Sequence, residues 1–202
     1  GTQMKTLIAA ALVSATLGMS SFAEEPLPPQ PLNLSFEEPA VTDDPEVRPD
    51  HWFWFSSTPE VRIGITDGRA KAGTQSCKLT AQEGEDAYQG IAQRFSATPG
   101  HSYTFSVFVM NCPQSSMLGD SYGQISIEWQ DAGGNELTRQ YGPAWSHELP
   151  FSRWTRFVVE AQAPDLAVAG VVVITFFSRN SGGYGAFYVD DCGFSSRSGP
   201  PL

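Results

Sequence analysis

The stretch "SYTFSVFVM", residues 102–110, alternates mostly polar side chains with large apolar ones. Successive side chains of a β-strand point to opposite faces, so this alternation is typical of a strand with one face in a hydrophobic core. The stretch "GQISIEWQ", residues 123–130, repeats the pattern. We therefore predict two half-buried strands, whose core-facing side chains are Tyr103, Phe105, Val107 and Val109 in the first and Ile125, Ile127 and Trp129 in the second.

Similar runs occupy most of the chain on both sides of these two strands. They are rich in β-branched and aromatic residues, and turn signals such as Asp67-Gly68 and Pro99-Gly100 separate them. No segment shows the caps and the periodicity of an amphipathic helix. Strands at this spacing without crossover helices predict an antiparallel β-sandwich or jelly roll. The further predicted strands are "PLNLSFEE", "VRIGIT", "SCKLTA", "YQGIAQRF", "WTRFVVEA", "VVVITFF" and "GAFYVDDC".

The amino-terminal residues have the features of a secretory signal peptide. Met4-Lys5 supplies a short positive start, residues 7–17 an apolar stretch, and residues 21–23 a small-residue cleavage site. We therefore expect residues 1–23 to be a signal peptide and the protein to be secreted or periplasmic. The remaining predicted parts are a proline-rich lead-in at 24–31, one β-sandwich domain at 32–196 and a tail at 197–202.

The chain is acidic, with a formal net charge of −10 at pH 7. Removal of a signal peptide that contains Lys5 makes it more negative. An acidic surface repels phosphate backbones and anionic lipids, so we expect neither nucleic acid nor a membrane as partner. Neutral ligands and metal cations are compatible with this charge. Three cysteines permit at most one internal disulfide, and the sequence leaves open both its pairing and the oligomeric state.

Several segments match a known pattern in their order along the chain. They are "NLSFEEP" (33–39), "RPDHW" (48–52), "GRAKAGTQSCKLT" (68–80), "YQGIAQRFSATPGHSYTFSVFV" (88–109), "FSRWTRFVVEAQAP" (151–164) and "FYVDD" (187–191). This order resembles the carbohydrate-binding modules of the family 4, 9 and 22 type, which are galactose-binding-like jelly rolls usually attached to glycoside hydrolases. The resemblance implies an all-β, antiparallel β-sandwich jelly roll that binds a poly- or oligosaccharide. It does not identify the sugar, because residues 111–122 and 139–151 depart from the pattern.

The run "FYVDDCGF", residues 187–194, places two adjacent carboxylates in an otherwise apolar strand. A carboxylate buried there must be paired, hydrogen-bonded or bound to a metal. The resemblance implies a structural calcium ion held by the carboxylates of Glu37 and Asp190, with main-chain carbonyls of Ser35 and of a residue near Lys71. Calcium accepts such a mixture of oxygen ligands. The alternatives for Asp190 are a turn cap or an ion pair with one of three cations, Arg62, Arg69 or Lys71.

Aromatic rings outside the core are the candidate sugar contacts. Sugars stack their apolar faces on exposed rings, and polar side chains satisfy their hydroxyl groups. Tyr141 and Trp145 lie in a Gly-Pro-containing segment that we interpret as a loop, where a large ring is hard to bury; Trp145 is the first choice. Trp54 in "HWFWF" is a further candidate. Glu128 and Gln130, opposite the core face of their strand, are candidates for hydroxyl contacts, with solvated surface as the alternative.

The sequence shows no catalytic motif. Hydrolysis of a glycosidic bond ordinarily uses two carboxylates that flank it, and no such pair stands out. We therefore predict a non-catalytic carbohydrate-binding module. The alternatives are an extracellular structural or adhesion domain without sugar affinity, and a small glycan-active hydrolase. An exposed aromatic platform over a groove favours the first interpretation, and aromatic residues that are all buried favour the second.

Overall fold

The computed structural model describes residues 25–44, 47–84 and 86–201. All regular elements in these ranges are β-strands, and no helix there is long and apolar enough to cross a membrane. The predicted signal peptide lies outside the described residues. The strands are β1 (Phe53–Ser56), β2 (Ile63–Thr66), β3 (Ser76–Thr80), β4 (Ala87–Ser96), β5 (Ser102–Asn111), β6 (Tyr122–Gln130), β7 (Glu136–Trp145), β8 (Thr155–Gln162), β9 (Ala169–Ser178) and β10 (Ala186–Arg197).

These strands form two antiparallel sheets of five strands each. The front sheet has the order β1-β4-β9-β6-β7, and the back sheet has the order β2-β3-β10-β5-β8. Most neighbours in the sheets are distant in sequence, as the long connections of a jelly roll require. The predicted all-β antiparallel β-sandwich is confirmed.

One hydrophobic core fills the space between the sheets. The predicted core faces are confirmed, since Phe105 and Val107 of β5 and Ile125 and Ile127 of β6 are completely buried. The ring of Trp129 packs between the two sheets, with its centroid 5.3 Å from that of Tyr103. Burial of these side chains removes apolar surface from water, which stabilises the folded state by about 25 cal/mol per Å². This burial fixes which side of each strand faces outward.

Two segments differ from the expected secondary structure. Residues 31–38 are predicted as a strand, but turns occur there, with Asn33 and Phe36 at φ angles of 48° and 56°. Residues 139–151 are predicted as a loop, but β7 extends through Trp145. β7 is an edge strand with an irregular register against β6. Because a bulge shifts side chains from one face to the other, such a strand lacks the regular alternation used to find it.

The predicted lead-in and the predicted tail both contact the sandwich. β1 pairs with residues 89–92 of β4, and Pro28 of the lead-in lies beside Ser96 of the same strand. There, the Ser96 N–H donates to the carbonyl of Pro28 at 2.8 Å. At the other end, the Ser102 hydroxyl donates to the carbonyl of Gly199 at 2.6 Å. The lead-in and the predicted tail are therefore packed against the domain at these two points.

Candidate functional site

The outward surface of the front sheet follows from its register. Directly opposed residues of antiparallel strands point to the same side, and Ile91 and Phe95 of β4 point into the core. The alternate residues therefore point outward. We call the resulting surface the front face. Its rows of opposed residues are Tyr88, Phe177 and Tyr122; Phe55, Gly90, Thr175, Gln124 and Ala144; Phe53, Ala92, Val173, Ser126 and Tyr141; Arg94, Val171, Glu128 and Arg139; and Ser96, Ala169, Gln130 and Glu136.

Short side chains form the floor of the front face. Ala92, Val173, Thr175 and Ser126 are all buried below the longer side chains around them. The neighbouring Gly90 carries no side chain, and a Cβ there would lie 2.5 Å from Cζ of Phe55. The absence of this Cβ lets the Phe55 ring lie against β4. Short side chains therefore form most of the floor, and the Phe55 ring lies on it beside Gly90.

Two exposed rings stand at opposite edges of this floor. Phe53 of β1 and Tyr141 of β7 are each 49% exposed, and they lie opposite Ala92 and Ser126 respectively. Four inter-strand spacings of about 4.8 Å separate these edge strands, or roughly 19 Å along the sheet. Two rings at this separation match an extended ligand better than a compact one.

A row of half-buried aromatic rings borders one end of the floor. Phe177 of β9 stacks on Tyr122 of β6 with their centroids 4.6 Å apart and their planes at 19°. On its other side lies Tyr88 of β4, at a centroid distance of 6.3 Å. The guanidinium of Arg179 lies 5.8 Å from the Tyr122 ring and forms an ion pair with Asp86 at 2.6 Å. Aromatic rings therefore dominate this end of the front face.

Charged side chains border the opposite end of the floor. Arg139 Nη2 donates to Glu128 Oε2 at 2.5 Å and to Glu136 Oε2 at 3.1 Å, and Gln130 Nε2 donates to Glu128 Oε1 at 2.9 Å. Burial opposes the charge of Arg139, but the hydrogen bond to Glu136 and the charges of Glu128 and Glu136 raise its pKa. The guanidinium therefore stays charged and holds both carboxylates.

The structure brings three of the five predicted ligand residues together. Tyr141, Glu128 and Gln130 all belong to the front face. The expectation that Trp145 is an exposed ring is wrong, because it ends β7, is 3% exposed and packs 5.3 Å from the ring of Phe187. It fits into the core because Gly123 lies opposite: a Cβ there would lie 2.2 Å from its Nε1.

Trp54 is exposed but lies away from the front face. It points to the opposite side of β1 from Phe53, since it pairs with the core-facing Ile91. The guanidinium of Arg48 lies 4.7 Å from the centre of its ring, which is 47% exposed. Trp54 therefore belongs to the flank of the sandwich, where it is covered on one side by a cation.

Sequence reasoning missed most of the other aromatic residues of the front face. Phe177 belongs to "VVVITFF", an uninterrupted apolar run in which either face of the strand could be the inner one. Phe53 lies next to Trp54, the candidate ring of the same segment. Alternation along β4 was a usable signal for Tyr88, because Gln89, Ile91 and Phe95 lie on one side and Tyr88 on the other.

A second cluster forms around the loop of residues 71–75. Asp190 is completely buried, and its Oδ2 accepts the N–H groups of Lys71 and Ala72 at 2.6 and 3.0 Å. Glu37 Oε1 accepts the N–H groups of Thr74 and Gln75 at 3.0 and 2.9 Å. The two carboxylates implied by the family resemblance thus bind adjacent pairs of amides in one loop.

The main chain brings the third implied residue to the same place. The Cys192 N–H donates to the carbonyl of Leu34 at 2.9 Å, next to Ser35. β10 is irregular between Asp190 and Gly193, and Asp191 has a φ angle of 48°. The bulge separates the two aspartates, so that Asp190 is enclosed and Asp191 is only half-buried. The first and last parts of the domain are joined at this point.

The buried carboxylate of Asp190 has hydrogen bonds but no ion pair with the three cations considered above. Lys71 Nζ pairs instead with Asp191 at 3.3 Å, and Arg62 with Glu60 at 3.0 Å. Burial raises the pKa of Asp190, although three backbone N–H groups act in the opposite direction. Burial and the nearby charge of Asp190 also raise the pKa of the Cys77 thiol.

Neighbouring Cys192 is affected in the same way, since burial and the charge of Asp190 raise its pKa as well. Both thiols therefore stay protonated. Together with Cys112, they are buried and form no disulfide.

Oxygen atoms at this loop are of the kind that a calcium ion accepts. The carboxylates of Glu37 and Asp190 would hold it with the main-chain carbonyls of Ser35 and Lys71, which accept no hydrogen bond from the described residues. Hard oxygen donors of this kind are the ligands calcium prefers, and a cation would offset the charge buried at Asp190. No group of three or more His, Cys, Asp or Glu side chains suited to a metal occurs among the described residues. The carbonyl oxygens would therefore have to supply part of the coordination.

No family model matches the chain, and no curated protein matches it by sequence. Solved structures do match its fold. The CBM22-1 xylan-binding domain from Paenibacillus barcinonensis aligns with a TM-score of 0.55 and 13% identity, over 77% of this chain and 92% of that domain. Fisc, a Stig cyclase from Fischerella sp. TAU, aligns with a TM-score of 0.59 and 15% identity, over 86% of this chain and 99% of the cyclase.

A larger protein contains a similar domain. The enzymatically active domain of bacteriophage CBA120 tailspike protein 4 aligns with a TM-score of 0.53 and 12% identity, over 73% of this chain. The chain spans only 20% of that tailspike chain. At these identities the matches show the fold alone. The chain therefore has the β-sandwich fold of carbohydrate-binding modules, which the sequence resemblance implies and which a cyclase shares.

Proposed function

We propose that this chain is a non-catalytic carbohydrate-binding module, and that a poly- or oligosaccharide lies across its front face. The observation that carries the proposal is the pair of half-exposed rings, Phe53 and Tyr141, at opposite edges of a floor of short side chains. Such rings can stack on the apolar faces of sugars. Glu128, Gln130 and Arg139 offer polar groups to the hydroxyls. A structural domain without sugar affinity has no need of these exposed rings.

The charges of the front face favour binding over hydrolysis. A glycosidase ordinarily needs an acid and a carboxylate on opposite sides of the scissile bond. Glu128 and Glu136 lie on the same side and share the guanidinium of Arg139. Beyond the opposite end, Asp86 is likewise paired with Arg179.

The fold supports this proposal without deciding it. One of the similar structures is described as a xylan-binding domain, and another as a cyclase. The acidic net charge of −10 argues against a polyanionic glycan, which the protein would repel. A neutral glycan is therefore the ligand class that we propose.

Affinity electrophoresis against soluble glucans, xylans, mannans and galactans tests the proposal. We expect retardation of the wild-type protein by at least one of these polysaccharides. Ser126→Trp places a large ring on the floor of the front face and should abolish the retardation. Val158→Trp, on the outward face of the back sheet, is the matched control and should migrate like the wild type. Absence of retardation in every gel would refute the proposal and favour a structural domain.

We propose in addition that Glu37 and Asp190 hold a structural calcium ion. The support is the pair of carboxylates bound to one loop and the buried charge of Asp190 without an ion-pair partner among Arg62, Arg69 and Lys71. The sequence features of residues 1–23 support a secreted or periplasmic location. Intact-mass analysis of protein recovered outside the cytoplasm tests this location, because cleavage should leave a chain that begins near Glu24.

A further inference from the structure

Tyr141 and Trp145 point to opposite sides of β7 although they are four residues apart. In a regular strand, residues separated by an even number share a face. Trp145 lies opposite Gly123 and is buried, whereas Tyr141 lies opposite Ser126 and is 49% exposed. An additional residue must therefore interrupt the strand between the two rings.

The interruption is a β-bulge at Gly142 and Pro143. Gln124 of β6 is opposed to Ala144 of β7, and the next opposed pair is Ser126 and Tyr141. One residue lies between these positions in β6, and two residues lie between them in β7. The β7 strand thus contains one residue more than its partner, and such an insertion re-aims the side chains beyond it. Pro143 cannot donate a hydrogen bond to a neighbouring strand, and it is tolerated here because it lies at a bulge in an edge strand.

Two contacts hold the bulge in this conformation. The Gln124 side-chain amide donates to the carbonyl of Gly142 at 2.9 Å. On the core side, a Cβ on Gly142 would lie 2.8 Å from Cγ1 of Ile125 and 3.0 Å from Cβ of Val159. The absence of a side chain lets the bulge lie directly on the core. Any larger residue at 142 must push β7 away from it.

We propose that this bulge is the element that turns Tyr141 onto the front face, with Gly142 and Gln124 as positioning residues for its ring. A β7 strand of regular register that kept Trp145 in the core would point position 141 inward and place Gly142 on the front face. Position 141 would then offer no ring to a ligand. This inference rests on the proposed function, since it assigns Tyr141 a ligand to contact.

A double-mutant cycle on the dissociation constant of the retarding polysaccharide tests the inference. The variants are Tyr141→Ala, Gly142→Ala and their combination. We expect Gly142→Ala to weaken binding by about threefold or more in the wild type and by less than about twofold in Tyr141→Ala, because coupled neighbours are not additive. Gln124→Ala gives a second cycle that removes one hydrogen bond without adding bulk, in case Gly142→Ala does not fold.

Two control substitutions separate positioning from general damage. Gln162→Ala removes a side-chain amide of β8, in the back sheet, that donates to the Gly100 carbonyl at 2.9 Å. Gly68→Ala adds a methyl group at a glycine that is distant in sequence from β7, where the Cβ would lie 3.3 Å from the Thr66 hydroxyl. Neither control should couple to Tyr141→Ala.

The outcomes distinguish this inference from the proposed function. If Tyr141→Ala weakens binding but both cycles are additive, the bulge does not position the ring and the inference is overturned, while the binding face stands. If Tyr141→Ala binds like the wild type, the ring contacts no ligand, and both the face and the role of the bulge are refuted. Coupling in either cycle, with additive controls, supports the bulge as the positioning element.

Discussion

Replacing Tyr141 by alanine should weaken polysaccharide binding about eightfold. A tyrosine has roughly 200 Å² of surface to bury, and the ring is 49% exposed, so about 100 Å² remain available to a ligand. A sugar stacked on one of the two ring faces covers about half of this area, near 50 Å². At about 25 cal/mol per Å² the lost contact is about 1.2 kcal/mol, and each 1.4 kcal/mol is a factor of ten in Kd.

Isothermal titration calorimetry with the polysaccharide identified by electrophoresis measures this change. The matched control is Tyr184→Ala, because Tyr184 is also 49% exposed but lies in the connection between β9 and β10, where its hydroxyl donates to the Gln114 carbonyl at 3.4 Å. We expect the control to bind like the wild type. Phe53→Ala should lose affinity to a similar extent, because its ring has the same exposure at the opposite edge of the floor.

Thermal unfolding of these variants should change little, because each ring is half-exposed and its removal leaves no cavity in the core. A Tyr141→Ala variant that binds as tightly as the wild type, while Tyr184→Ala does not, would refute the assignment of the front face. Equal losses in both tyrosine variants would point to a ligand contact unrelated to this sheet.

Three further predictions concern stability. Chelation of calcium should lower the melting temperature of the wild type but not of Asp190→Ala, because a cation bound only by the folded state stabilises it by about 2.7 kcal/mol at a hundredfold excess over Kd; calorimetry that shows no effect of chelator would contradict the site. In chelator, the free energy of unfolding should rise as the pH falls from neutral through the folded-state pKa of Asp190, because burial raises that pKa and the folded protein then binds the proton more tightly than the unfolded chain. Urea unfolding of Asp190→Asn should lack this gain in stability at lower pH. Glu37 acts in the opposite direction: its pKa is lowered in the folded protein, so the stability that its carboxylate contributes is lost as the pH falls below the ordinary value of 4.5. Trp145→Ala should cost about 3–5 kcal/mol in urea unfolding and leave the Kd of the folded protein unchanged, whereas a large loss of affinity at unchanged stability would contradict its place in the core.

Local patterns were enough to predict the sandwich and most of its inward faces. The alternation in β5 and β6 identified Phe105, Val107, Ile125 and Ile127 as core residues, because a two-residue period depends only on neighbours along the chain. The same reasoning put Glu128 on an outward face. It did not identify β7, where the bulge breaks the period and Gly142-Pro143 resembles a loop.

The candidate ligand residues show the limit of local reasoning most clearly. Local reasoning favoured Trp145 over Tyr141 as the exposed ring, although both are large rings in one irregular segment. Their separation into a surface ring and a core ring depends on Gly123, which lies across the sheet and leaves space for Trp145. Phe177 could be assigned to the front face only because the structure places it opposite Tyr88 and Tyr122, which are distant in the chain.

The sequence by itself determined that this protein is an antiparallel β-sandwich and which strands carry a core face, and it singled out two carboxylates, Glu37 and Asp190, near the ends of the domain. The first two properties follow from side-chain alternation, which is local, and the third from a resemblance in motif order. Only the tertiary structure decided which aromatic rings remain exposed. Exposure depends on what the opposing strand and the facing sheet place beside each ring, and those neighbours come from remote parts of the chain.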